Sequence, residues 1–291
     1  MASRIVTIPN NMHQDLQNYK AIQRHLELKQ INKALEIFGQ MKESAHKTAS
    51  RAYLFQVCLM NGEINKATIL FDKMADKNKA RLHLVNAYLE QNQIEEAIMI
   101  FNEMETSIDK DIAGLEIVTA YLEQKQIEKA IMISDKMEKG FYRNLAGLEI
   151  VIAYLEQKQI EKAIMISDKM EKGFYRNMAG LEIVIAYLEQ NKIEKAIMIF
   201  DKMEKGVHRI LAGLKIVRAY LEQNKIEKAI MISDKMEKGF YGNLAGLKIV
   251  TAYLEQKQTD KAISTCNKMQ AGECKNEAQA AIDKAVSMTD S

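Results

Sequence analysis

Residues 144–176 read NLAGLEIVIAYLEQKQIEKAIMISDKMEKGFYR, and near copies of this stretch begin at Asp111, Asn177, Ile210 and Asn243. A period of about 33 residues with helical patterning means stacked supersecondary units, so the chain is read as an array before any chemistry is sought. Inside the unit, Leu148, Val151, Ile152 and Leu155 recur at steps of three and four, with Ile150 and Tyr154 broadening the stripe. That spacing predicts a first helix, helix A, buried on more than one side. After Gln157, Lys158 and Gln159, a second run places Ile160, Ala163, Ile164, Ile166 and Met170 inward and charged residues outward, which predicts an amphipathic helix B. Asn144 is expected to cap helix A, and Gly173 to end helix B in a left-handed conformation. Such a hairpin cannot bury its apolar faces without a neighbour.

One alanine of helix B marks the register along the chain: Ala34, Ala67, Ala97, Ala130, Ala163, Ala196, Ala229 and Ala262. All spacings are 33 except the 30 between Ala67 and Ala97, which predicts a tighter turn between the second and third hairpins. The expected organisation is a short flexible segment over residues 1–14, eight helix-turn-helix repeats over 15–275, and a C-terminal capping helix and tail over 276–291. The fold class is therefore all-α, a right-handed α-solenoid closed at its end by the extra helix. Counting back from each alanine also places Asp15, Thr48, Asn78, Asp111, Asn144, Asn177, Asn243 and Asn276 as caps, with Ile210 breaking the series.

Composition narrows the function. The chain has 291 residues, a lone proline, no tryptophan and a formal net charge of +2. Residues 144–176 hold five acids and five bases, so charge counting shows no basic stripe of the kind a generic nucleic-acid binder carries. Three cysteines without close pairing or histidine partners give neither a disulfide framework nor a zinc motif, and a reducing, cytoplasmic setting is expected. No stretch approaches the roughly 20 apolar residues of a membrane span, and no signal peptide is evident. Enzymes need a non-repeated cluster of reactive groups, and none is visible, so no catalytic residue, metal site or cofactor is assigned. His25 and Cys58 occupy the place of Tyr154 in their own units and read as core; Gly114, Gly147, Gly180, Gly213 and Gly246, inside helix A, read as points of close helix approach.

Differences between repeats carry two further expectations. The fourth residue after the marker alanine runs Phe101, Ser134, Ser167, Phe200, Ser233, and the eleventh runs Ile108, Phe141, Phe174, Val207, Phe240. Seven residues apart on a continuing helix share a face, so the loop phenylalanines are expected to fill volume the serines vacate. Helix A also varies at Thr119, Ile152, Ile185, Arg218 and Thr251, and switches from Glu116, Glu149 and Glu182 to Lys215 and Lys248. Glu116, Thr119, Glu149, Glu182, Lys215, Arg218, Lys248 and Thr251 are accordingly the partner-binding candidates, a row with a charge direction that suits a peptide docked one way round.

The segment from Ala87 to Phe101, AYLEQNQIEEAIMIF, resembles the central part of tetratricopeptide repeats, with Tyr88, Ala97 and Phe101 matching the residues that hold the two helices together. Helix B is similar to that of pentatricopeptide repeats, seen in ATILFDKMADKN from Ala67 to Asn78. Its methionine recurs at Met41, Met74, Met104, Met137, Met170, Met203, Met236 and Met269. The first resemblance implies a non-catalytic scaffold binding a peptide or helix on its concave surface. The second implies single-stranded RNA, one base per repeat, read by a polar residue early in helix A and the Asn or Asp just before it. The Asn is present, as in Asn144, but the helix A position carries Glu or Lys, and carboxylates oppose a phosphate backbone.

Overall fold

The computed structural model describes residues 10–74 and 76–289, and every described element is an α-helix. Two compact units result, the first ending at Glu138 and the second starting at Lys139. The first holds four hairpins: α1 (Asn10–Glu27) with α2 (Ile31–Gln40), α3 (Ala45–Met60) with α4 (Ile64–Phe71), α5 (Lys77–Glu90) with α6 (Ile94–Glu103), and α7 (Ile108–Glu123) with α8 (Ile127–Ser134). The second holds α9 (Phe141–Glu156) with α10 (Ile160–Lys169), α11 (Phe174–Glu189) with α12 (Ile193–Lys202), α13 (Val207–Glu222) with α14 (Ile226–Asp234), α15 (Phe240–Glu255) with α16 (Thr259–Lys268), and the terminal α17 (Glu273–Thr289).

Within each unit, helix A packs on its own helix B and on the next helix A, and each helix B also touches the following helix A, while no two B helices pack together. This is a solenoid of helical hairpins whose tight row is made of A helices. In the second unit α17 takes the place of a next helix A, packing on both α15 and α16 and burying Cys274, Ala278 and Ile282. The marker alanines are all fully buried, as are Val151, Val184, Val217 and Val250 on the facing helices. Ile152 instead stays on the open side of α9.

The chain reverses between A and B helices through a Schellman turn. Lys158 N–H donates to the Leu155 carbonyl and Gln159 N–H to that of Tyr154, both at 2.8 Å, with Lys158 at φ 59°. Gly62 alone uses glycine there; Lys29, Asn92, Lys125, Asn191, Asn224 and Lys257 take the same left-handed backbone. Because that conformation costs an L-residue about 1–2 kcal/mol and glycine repays part of the gain in unfolded-state entropy, Lys158→Gly is expected to stabilise by about 0.5 kcal/mol. A urea midpoint that does not rise would show that the turn holds no strain.

Several boundaries differ from the sequence reading. Helix α1 already runs from Asn10, inside the segment expected to be flexible over 1–14, and residues 1–9 lie outside the described residues. Helix α9 opens at Phe141 behind Gly140, so Asn144 is its fourth residue and not its cap. Likewise α17 starts at Glu273, ahead of Asn276. Gly173 does not end helix B: α10 stops at Lys169 with Met170 extended, and Gly173, at φ 134°, caps the N-terminus of α11. That backbone region is open essentially to glycine. Ser44, Asp76 and Ser107 do this work in the first unit, accepting from Lys47, Lys79 and Lys110 N–H. The shorter spacing before Ala97 falls on the helix as well as the turn, since α5 has 14 residues where α7 has 16.

Candidate functional site

The asparagines misread as caps have a different task. Asn177 Oδ1 accepts from Glu204 N–H and its Nδ2 donates to the Glu204 carbonyl, each at 3.0 Å, tying the first turn of α11 to the exit of α12. Asn243 makes the same pair with Gln270 at 3.0 and 2.9 Å, and Asn78 with Glu105 at 3.2 and 3.0 Å. Asn144 accepts from Glu171 N–H at 3.1 Å and donates to the Glu171 carboxylate at 3.2 Å, and Asp111 accepts from Glu138 N–H at 3.0 Å. These side chains, which the pentatricopeptide resemblance would assign to base reading, are engaged in tying the start of helix A to the exit of helix B of the same hairpin.

The glycines inside helix A sit where expected. A Cβ on Gly147, Gly180 or Gly246 would come within 2.9–3.2 Å of the Cγ of Met170, Met203 or Met269, so the buried methionine row lies directly over the glycine row. In earlier hairpins arginine stands at the glycine position. Arg51 is buried, donates to the Lys73 carbonyl at 3.2 Å and stacks on Phe38, and Arg81 stacks on Phe71.

The expected trade of bulk between phenylalanine and serine does not occur. Phe141, Phe174 and Phe240 are 60%, 62% and 61% exposed, while Phe101 and Phe200 are fully buried. The seven-residue step fails because the helix does not continue across it: chain direction changes between Met170 and Gly173, and Phe174 restarts as the first residue of α11. Beside buried Ser167 lies Arg176, whose guanidinium donates to the Met170 carbonyl at 3.3 Å and to Asp168 at 3.2 Å. The outward aromatics form a ridge on the second unit, with Phe141 edge-on to Tyr142 and Tyr175, Phe174 to Tyr175 and His208, and Phe240 to Tyr241, at centroid distances of 4.7–5.4 Å.

The candidate residues lie on the open face of the A helices. Glu116 and Thr119 belong to α7 in the first unit; the others occupy one compact body, with Glu149 on α9, Glu182 on α11, Lys215 and Arg218 on α13, and Lys248 and Thr251 on α15. The switch from acid to base thus falls inside the second unit. Arg218, Lys248 and Thr251 come together on an open groove of about 650 Å³ between α13 and α15, which Glu222 and Glu255 also line. Lys215 is exposed but does not line that groove. Arg218 Nε donates to Glu222 at 2.8 Å, and Thr251 Oγ1 to the Leu247 carbonyl at 3.0 Å, as Thr119 Oγ1 does to Leu115 at 3.1 Å.

The opposite side carries features that the sequence reading passed over. Met99, Met132, Met165, Met198 and Met231, two residues after five successive marker alanines, are exposed on the B helices, a row that the same 33-residue count would have revealed. Between successive B helices of the second unit, Lys195 pairs with Glu161, Lys228 with Glu194 and Lys261 with Glu227 at 3.3–3.8 Å. Each of these lysines also covers a buried tyrosine ring, as Lys195 does Tyr187 at 5.5 Å. Burial pushes the phenols of Tyr187, Tyr220 and Tyr253 up, with the neighbouring glutamates adding to it. Exposed pairs of this kind contribute little singly.

Among the described residues, no group of three His, Cys, Asp or Glu is placed to hold a metal ion. Cys58, Cys266 and Cys274 are free and buried, and burial raises the Cys58 thiol to about 11, the opposite of an activated nucleophile. His25 Nδ1 lies 2.8 Å from Gln30 Oε1, within its own turn. No described helix is long and apolar enough to cross a membrane.

The family model for the PPR repeat matches residues 83–107 and 183–206. These are the segments holding buried Phe101 and Phe200. No curated protein matches the chain at a significant level. Among solved structures, Ton1535 from Thermococcus onnurineus is 15% identical over 94% of this chain and 92% of its own, with a TM-score of 0.34. A tetratricopeptide repeat protein from Parabacteroides merdae is 13% identical over 82% and 99%, with a TM-score of 0.36. From the hairpin geometry, the eightfold register and the two matched segments, the chain is a helical-repeat protein of the tetratricopeptide- and pentatricopeptide-like kind.

Proposed function

We propose that the chain is a non-catalytic scaffold that binds an acidic peptide or helix along the A-helix face of its second unit. The observation that carries this reading is the division of labour between two rows. The asparagine row is consumed in closing each hairpin on itself, whereas Lys215, Arg218 and Lys248 are exposed on the A helices, the latter two on an open groove. The neighbouring Glu149 and Glu182 give the face a sign change that fixes ligand direction. Phe141, Phe174 and Phe240 offer rigid aromatic anchors at the N-terminal ends of the same helices, the residue type that dominates binding hot spots. Three buried, unpaired thiols suit a reducing compartment such as the cytoplasm.

The test is selection of random 16-residue peptides on the full chain, followed by affinity measurement on the Lys215→Glu, Arg218→Glu, Lys248→Glu triple variant. Enrichment of acidic peptides and at least a tenfold loss on the variant is the expected result, and unchanged affinity rejects the reading. Single-stranded RNA binding, which the matched pentatricopeptide segments bring in as the second reading, is separated by salt. Measurable affinity for a random-sequence 20-mer with a steep salt slope would favour RNA instead.

A further inference from the structure

Between α14, α15 and α16 lies a notch that repeats, position for position, the crevice between α10, α11 and α12. Ser167, Asp168 and Lys202 of the crevice correspond to Ser233, Asp234 and Lys268 of the notch, and Arg176 corresponds to Gly242. With Arg176 in place the crevice has a volume of about 60 Å³; with Gly242 the notch has about 180 Å³. The missing group is known from its relatives in the chain. Arg176 donates to the Met170 carbonyl and to Asp168, while Arg209 donates to the Lys235 carbonyl at 3.0 Å and stacks on Phe200 at 4.4 Å.

What remains around the vacancy is a receptor for such a group. Asp234, equivalent to the Asp168 that holds Arg176, has no ion-pair partner among the described residues. Both carboxylate oxygens of Glu237 are buried without a hydrogen bond, the nearest cation being Arg209 Nη1 at 3.6 Å from Oε1. Glu237 is ion-paired with Arg209 but accepts no hydrogen bond, and a ligand that brings donors would supply what that pair lacks. The exit turn beside Glu237 also lacks an asparagine tie, because Ile210 stands where Asn177 and Asn243 hold the equivalent turns. Lys238 and Lys268 line the notch too, yet Lys172 and Lys202 line the crevice that already accommodates Arg176, so these lysines do not bar a guanidinium.

We infer that this notch is a binding site for an arginine side chain of a partner protein, whose guanidinium takes the place that Arg176 occupies two hairpins earlier. The site lies at the N-terminal end of α15 beside exposed Phe240, and shares no lining residue with the groove that holds Arg218, Lys248 and Thr251. It rests on the scaffold reading for the partner, but not for the chemistry of the notch.

The experiment titrates the full chain with N-acetyl-arginine methylamide and follows backbone amide shifts at Gly239, Gly242 and Asn243, with the lysine and glycine analogues as controls. Saturable binding with a Kd on the order of 1 mM, absent for the glycine analogue and weaker for lysine, is expected. Asp234→Asn removes the carboxylate that mirrors Asp168 and should weaken binding at least threefold. Gly242→Arg is a poorer probe, because a Cβ there meets the Glu237 carbonyl oxygen at 2.9 Å. Shifts that do not saturate, or a folded Asp234→Asn protein that binds as tightly as the unchanged chain, overturn the inference. The Lys215, Arg218, Lys248 triple variant should keep the arginine response, so failure of the peptide reading and failure of the notch are told apart.

Discussion

Phe200→Ala is expected to destabilise the second unit by about 3–5 kcal/mol, whereas Phe174→Ala should change stability by no more than about 0.5 kcal/mol. The two phenylalanines lie in adjacent repeats and would have similar weight if bulk were exchanged between their positions. Phe200 is fully buried, lies under the Arg209 guanidinium, and reaches within 3.1 Å of where a Cβ on Gly213 would stand. Truncation opens a cavity walled by parts of α12 and α13 that the hairpin contacts hold apart, and strips an arginine of its stacking partner. Phe174 is mostly in water and gives up only edge-on contacts with Tyr175 and His208. Urea unfolding of both variants, followed by helix content, decides the matter. Equal losses would show that the outward ring carries packing after all, and would remove it from the candidate anchors.

Legibility in the sequence follows what each inference depended on. The marker alanine, the glycine row and the methionine row were readable because period and helical spacing together require small residues wherever two helices cross closely, and Gly180 beneath Met203 meets that demand. Inferences made across a break in the helix failed. The step from Ser167 to Phe174 spans Met170 to Gly173, where the chain leaves helical geometry, so a shared face could not be assumed. The cap assignment failed for a related reason. Asparagine ahead of an apolar run has the signature of an N-cap, but glycine four residues upstream at positive φ had already opened the helix. The asparagine was then free to bond to the exit of its own hairpin 27 residues on, a partner no local pattern reveals. That Glu149, Glu182, Lys215 and Lys248 recur at one position of helix A, with Arg218 and Thr251 at another three residues on, was legible from the repeat alone. The notch at Gly242 was not, because it consists of what one repeat lacks.

Asn177→Ala is expected to destabilise by about 2 kcal/mol, and Asn177→Asp by about half as much. The buried amide makes one accepted and one donated hydrogen bond to Glu204, both at 3.0 Å, and each is worth on the order of 1 kcal/mol net. Alanine forfeits both and leaves an N–H and a carbonyl at the exit of α12 without partners. Aspartate keeps the accepted bond, as Asp111 does with Glu138 N–H, but has no donor for the carbonyl. The reciprocal change, Ile210→Asn, should add about 1 kcal/mol by tying the turn at Glu237 that now lacks such a bond. The graded order Asn, Asp, Ala is the discriminating outcome, because a purely steric role would place Asp with Asn. It also bears on function. A side chain whose loss loosens the two ends of its own hairpin is committed to the array and cannot also read a base, so the predicted order supports protein recognition through the lysines and arginine of α13 and α15. Stability indifferent to all three residues would release the asparagine row and return the balance toward RNA.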